Sequence, residues 1–146
     1  MNILIRVAVM LFGLFITGQG LTQENVTETE DFQRAQGQAR VIISDQIEAF
    51  GALDIDRAYS HASKSIKTIF PSSKIFGVMV RKSYPMIWNP KSYEFLGASP
   101  LSVGILQRVM FVDQEGQLHF FDYALEKDGE RWLISGVYAA EEASRV

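Results

Sequence analysis

His119, Tyr123 and Tyr138, with Gln107, are the residues of this chain whose types could do chemistry together. An imidazole beside a phenol can move a proton and donate a hydrogen bond to a developing oxyanion, as in proton abstraction next to a carbonyl. Side chains of this kind also fill the cores of small domains, where they satisfy one another or bind water. No catalytic residue is assigned on sequence grounds, and His119, Tyr138 and Tyr123 stand as candidates. A ligand pocket would be lined by Gln107, His119, Phe121, Tyr123, Trp132 and Tyr138.

Asp54, Asp56 and His61 form a second set that could bind a metal or act as a general base. A helix start explains the first two better: Asp54 suits an N-cap, and Asp56 suits the first turn, where negative charge favours the dipole. The chain has two histidines, far apart and on different elements, so neither a metal nor a cofactor is expected. Ser135-Gly136 lacks the strand-to-helix elbow of a serine nucleophile, and no glycine-rich phosphate loop or dinucleotide fingerprint is present.

Charge is unevenly spread. Between Arg57 and Tyr93 there are seven basic residues and no acid, while the flanking stretches are acidic and the chain has a formal net charge of −3. Lys67, Lys74, Arg81 and Lys82 are the candidate anion-binding surface, with Lys74 and Arg81 on one helical face, opposite Ile75 and Met79. Such a surface could meet an anionic ligand, an acidic partner or lipid headgroups. The competing reading is ion pairing with acids of the same molecule. Nucleic acid is not expected, because the segment lacks interleaved exposed aromatics and the overall charge is negative.

The elements that must position these residues follow from periodicity. Phe32, Ala35, Ala39, Ile43, Ile47 and Phe50 recur at helical spacing from Asp31 to a stop at Gly51. A short helix capped by Asp54 carries Ala58, Tyr59 and Ala62; a third holds Ile66, Ile69 and Phe70 and stops at Pro71. A fourth, opened by Ser72 or Ser73, carries Ile75, Phe76, Met79 and Val80 and stops at Pro85. The period then alternates, giving strands near Ser92–Leu96, Val103–Val112, Leu118–Glu126 and Arg131–Tyr138 in a meander. A type I turn with a glycine bulge at Asp113-Gln114-Glu115-Gly116 would set Val109 opposite Phe121, Gln107 opposite Tyr123, and Arg108 opposite Asp122 as an ion pair. A type I′ turn at Asp128-Gly129 would set Leu125 opposite Trp132, Tyr123 opposite Ile134, Phe121 opposite Gly136 and His119 opposite Tyr138. The expected fold is α+β, with helices packed into the concave face of a curved antiparallel sheet.

With 146 residues, 47% of them hydrophobic, the chain fits one domain with one core, and the absence of cysteine leaves it to packing alone. Arg6, the apolar run Val7–Ile16 and the small residues Gly18 and Gly20 read as a signal peptide over 1–20, the run being shorter than the roughly 20 residues of a bilayer span. Export is expected, to the periplasm in a Gram-negative bacterium and otherwise to the medium. Residues 21–30 are polar and read as a tether, 31–140 as the domain and 141–146 as a tail.

The run Gln46-Ile47-Glu48-Ala49-Phe50, then Asp54, Ala58-Tyr59, Ala62-Ser63, Ile66, Phe70, Phe76, Met79-Val80-Arg81, Tyr84-Pro85, Pro90, Asp128-Gly129, Trp132 and Ile134-Ser135-Gly136 resembles the bacterial domain of unknown function 4864 family. The resemblance covers about Val41 to Val137. It implies a small exported protein whose fold is similar to the cystatin-like cone of nuclear transport factor 2 and the SnoaL-like enzymes, and it implies no activity. Leu53 stands where that family often has an aspartate, and Lys64 where a proline usually follows Ala-Ser.

The functional expectation is a binding module for a small ligand or a protein, without turnover. One alternative is an isomerase-like enzyme using His119 with Tyr138 or Tyr123. Another is a structural subunit that dimerises, or meets a protein partner, through the outer sheet face, where Leu106, Met110, Val112, Leu118, Phe120, Ala124, Leu133 and Val137 are expected.

Overall fold

The computed structural model describes residues 20–142, with side chains from residue 26. Residues 1–19 of the proposed signal segment and residues 143–146 of the tail lie outside the described residues. Among the described residues, five helices precede four strands: α1 (Gly20–Gly51), α2 (Ile55–Ser60), α3 (Lys64–Ile69), α4 (Ser73–Ser83), α5 (Pro85–Trp88), β1 (Ser92–Pro100), β2 (Ile105–Val112), β3 (Leu118–Asp128) and β4 (Arg131–Ala140). The strands form a curved, unclosed antiparallel meander in the order β1-β2-β3-β4, with α1 packed against it, so the fold is α+β as expected.

α1 starts eleven residues before Asp31, so the segment expected as a tether is helical backbone. Nothing between Leu21 and Gln36 breaks a helix, since the first glycine after Gly20 is Gly37 and no proline occurs there. Val26 to Asp31 are exposed, as their polar composition requires. Asp54 caps α2 by accepting the Arg57 N–H at 3.2 Å, and Ser72 caps α4 by accepting the Ile75 N–H at 3.2 Å. Pro85 ends one helix and also starts another: it occupies the first turn of α5, where its missing N–H costs nothing. On α4 the buried face is Phe76, Gly77 and Val80, whereas Ile75, expected inside, is half exposed.

Leu53 and Lys64 both occupy conformationally particular positions. Leu53 has a φ of +58° and is exposed, a left-handed position that aspartate tolerates better than a branched side chain. Lys64 is the first residue of α3, where proline is well suited, and it pairs with Asp128 at 3.1 Å.

The first hairpin has the expected register: Gln107 faces Tyr123, Val109 faces Phe121, and Arg108 faces Asp122, which it binds through two nitrogens at 2.8 Å each. The second does not. Asp128 pairs with Arg131, so the turn residues are Gly129 and Glu130, with a φ of +64° at Gly129. A type I′ turn would need positive φ at Asp128 as well, and Asp128 does not have it. Leu125 therefore faces Ile134, and Trp132 faces Lys127. A bulge then adds Ser135 between the Leu125–Ile134 and Ala124–Gly136 pairs, which turns the rest of β4 over. Tyr123 faces Val137 and Phe121 faces Ala139, while Tyr138 lies opposite Asp122 on the outer face.

The core lies between α1 and the inner sheet face. Ala39, Ile43, Ile47 and Phe50 pack on Val109, Phe111, Phe121 and Tyr123, with α4 and α5 closing one end. Phe50 stacks on Trp88 at 5.3 Å and Phe76 at 6.0 Å, joining three helices through aromatic faces. The outer sheet face carries Leu106, Met110, Val112, Leu118, Phe120, Ala124 and Leu133 as expected; Val137 belongs to the inner face because of the bulge.

Candidate functional site

The sheet and the short helices leave a cavity of about 280 Å³ on the β4 side of the core. Gln46 and Phe50 of α1 and Tyr123 of β3 line it beside Ile134–Tyr138 of β4; Ile66, Ile69 and Phe70 line it from α3, and Phe76, Met79 and Val80 from α4. β4 is an edge strand, so a cavity along it opens toward solvent. The connection before α3 partly guards that edge: Ile134 N–H donates to the His61 carbonyl at 2.8 Å, and Ser63 N–H donates to the Ile134 carbonyl at 2.9 Å. Beyond Ile134 the rim is made by exposed Ile69 and Tyr138.

The walls are almost wholly apolar. Gln46 uses its amide nitrogen on the Ala58 carbonyl at 3.1 Å. Tyr123 is fully buried, and its hydroxyl has no hydrogen-bond partner among the described residues. Burial, with a smaller contribution from Tyr93, pushes its phenol well above the usual tyrosine range. Near neutral pH this group stays protonated and does not act as a base.

Of the six residues expected to line one pocket, two line this cavity, Tyr123 and Tyr138. His119 faces Phe111 near the end of the first hairpin, where its Nε2 meets Asp113 Oδ2 at 2.7 Å. That contact, with the Gln117 N–H, holds the Asp113 carboxyl below its ordinary range. The second-hairpin register separates His119 from Tyr138, and the acid/base pair expected from sequence is not assembled. Gln107 is buried for a structural purpose: its amide nitrogen lies 2.9 Å from the Leu96 carbonyl and 3.2 Å from that of Gly97, at the bulge in β1. Phe121 is core, edge-on to Phe111 and Tyr84. Trp132 donates to Gln38 Oε1 at 2.8 Å and borders a separate groove with His61.

Asp54 and Asp56 remain helix-start residues, whereas His61 has a partner that spacing did not reveal. Its Nε2 bonds Asp45 of α1, which also pairs with Arg57. Glu48 adds a second carboxylate 3.3 Å from Arg57. Among the described residues no group of three or more histidines, cysteines or acids could hold a metal. The Arg57 guanidinium, then His61, lowers the Asp45 carboxyl to about 2. A folded-state value below the unfolded one adds stability that is full above about pH 4 and lost as pH falls toward 2. The side chain is 35% exposed, so screening reduces the contribution to about 1 kcal/mol. Asp45→Asn should cost about that much at pH 7 in urea denaturation and nothing near pH 2; a difference independent of pH would contradict it.

The basic residues between Arg57 and Tyr93 divide. Arg57 and Lys64 pair with acids of the same molecule. Lys67 lies 5.1 Å from the Tyr59 ring centre and Arg81 5.9 Å from that of Trp88, and Lys74 and Lys82 are exposed. No curated protein and no solved structure matches the chain. The family model described as Domain of unknown function (DUF4864) matches residues 32–146, which takes in every residue of the cavity, and the chain belongs to that family.

Proposed function

We propose that this domain binds a compact, largely apolar molecule in the cavity between α3, α4 and β4, and holds it without turnover. The observation that carries the reading is an apolar cavity of about 280 Å³ whose lining residues include no histidine and no carboxylate. At about 30 Å³ per water-sized group, it takes about nine or ten non-hydrogen atoms. The hydroxyl of Tyr123 has no surface open to the cavity, so recognition there rests on apolar contact. Acid/base chemistry is less well supported, because His119 sits with Asp113 and the Tyr123 phenol stays protonated.

This reading treats the domain as similar to the nuclear transport factor 2-like cone; support comes from helices packed on one face of a curved meander. It also treats the protein as exported, on the strength of Arg6, Val7–Ile16, Gly18 and Gly20.

Straight-chain alcohols from hexanol to dodecanol, titrated calorimetrically into the full chain, test it. Saturable binding should be strongest near nine carbons and fall at least about tenfold in Ile66→Trp, which fills the cavity from α3. Met79→Glu, at a half-buried wall position, provides a second variant should the first misfold. Absence of saturable binding at every length, or binding indifferent to both substitutions, would rule the cavity out.

A further inference from the structure

Aliphatic side chains and unpaired cations share the outer surface of α3 and α4. Ile69 is 68% exposed, Ile75 49% and Val78 61%. At about 100° per residue, Lys74, Ile75, Val78, Arg81 and Lys82 fall on the side of α4 opposite its buried Phe76 and Val80. Ile69 of α3, exposed at the cavity rim beside Met79, adjoins the Ile75 side of this surface, whereas Lys67 lies about 200° away on α3 and over the Tyr59 ring. No acidic residue occurs between Arg57 and Tyr93. Among the described residues, none of Lys67, Lys74, Arg81 and Lys82 has a carboxylate within ion-pair distance.

We infer that the outer face of α3 and α4 docks onto a lipid surface bearing anionic headgroups. Lys74, Arg81 and Lys82 meet the headgroups, and Ile69, Ile75 and Val78 enter the interfacial zone. Charge complementarity supplies the attraction, since Lys74 and Lys82 have no ion-pair partner among the described residues and Arg81, which shares a groove with Asp113 and Glu115, is paired with neither. Their spacing selects the kind of anion. Lys74 and Lys82 are about 12 Å apart along the helix, too far to clamp one phosphate and well suited to an array of headgroups. The interleaved aliphatics select a lipid surface over a soluble acidic chain, which would leave them in water. This docking does not depend on the cavity having a ligand.

Sedimentation of the full chain with vesicles of phosphatidylcholine alone, and of phosphatidylcholine with 30% phosphatidylglycerol, about, by mole fraction, tests the inference. The ratio of the two partition coefficients cancels any contribution from the apolar stretch Val7–Ile16. Each cation near such a surface contributes about fivefold, so Lys74→Gln/Arg81→Gln/Lys82→Gln should lower the ratio on the order of a hundredfold. Ile75→Ser/Val78→Ser should lower absolute partition onto the anionic vesicles at least about fivefold, and Arg34→Gln on α1 should leave both readings unchanged. A ratio near one for the unmodified chain overturns the inference, and so does either multiple variant binding like the unmodified chain. Equal affinity for soluble polyglutamate, lost in the same charge variant, would reassign the face to an acidic protein. Failure of the alcohol titrations would leave these vesicle results untouched, so the two readings fail separately.

Discussion

Gly104→Ala is expected to lower stability by about 3 kcal/mol, the largest loss from adding a single methyl group in this domain. Gly104 precedes β2 with a φ of +102°, where any side chain strains the backbone, and a Cβ there would lie 1.9 Å from the Leu125 carbonyl oxygen. That oxygen is backbone of a central strand and cannot swing aside as a side chain would. Relief requires parting β2 from β3 where fully buried Ile105 and Leu125 face each other. Left-handed strain costs about 1–2 kcal/mol and overpacking about 1–3 kcal/mol. Gly116→Ala separates the two contributions, because Gly116 also has positive φ, +85°, but has open space around it. It should lose about 1 kcal/mol. Urea midpoints at a common slope give the comparison, and equal losses at the two glycines would show that the contact with Leu125 is not what fixes Gly104.

The two hairpins show how far turn chemistry carries a reading of sequence. In the first, Asp113 accepts the Glu115 and Gln117 N–H groups at 3.0 and 2.8 Å, and Gly116 takes the positive φ. Both residues announce that geometry, and the register of β2 on β3 follows. In the second, Asp128-Gly129 also announces a turn, but two turn types fit the pair and they differ in which residues close the hairpin. The extra residue Ser135 is less visible still. A glycine inside a strand, Gly136, is its one sequence signal. Since strand side chains alternate, that single insertion moves Tyr138 to the outer face and Val137 inward. The expected pairing of His119 with Tyr138 therefore failed through a local backbone event, not through the wrong fold.

The helical contribution to the site was partly legible. Ile66, Ile69, Phe70, Phe76, Met79 and Val80 were placed on short helices by their spacing, yet spacing alone does not reveal that they enclose a space beside β4. Enclosure depends on how three helices lean on one another, and Gly77 records the closeness of that approach. A Cβ there would lie 2.7 Å from Ile55 Cγ2, so α4 rests on α2 at a point where only hydrogen fits. The Asp45–His61–Arg57 cluster was hidden for the same reason: its members come from two helices whose crossing brings them together.

Tyr123→Phe should stabilise the ligand-free protein by about 1–2 kcal/mol, a gain uncommon for a fully buried site. The ring would keep its packing against Phe111, 6.4 Å away centre to centre, and only the hydroxyl would be lost. A buried hydroxyl without a partner forfeits its hydration, a cost of about 1–3 kcal/mol that phenylalanine avoids. The gain should appear as a urea midpoint raised by about 0.5–1 M. Decanol affinity should stay within about twofold in the same variant, because the hydroxyl has no surface open to the cavity and the ring keeps its place. A loss of about tenfold would mean that the hydroxyl turns into the cavity when a ligand binds, whereas lower stability would mean that the hydroxyl is already satisfied in solution.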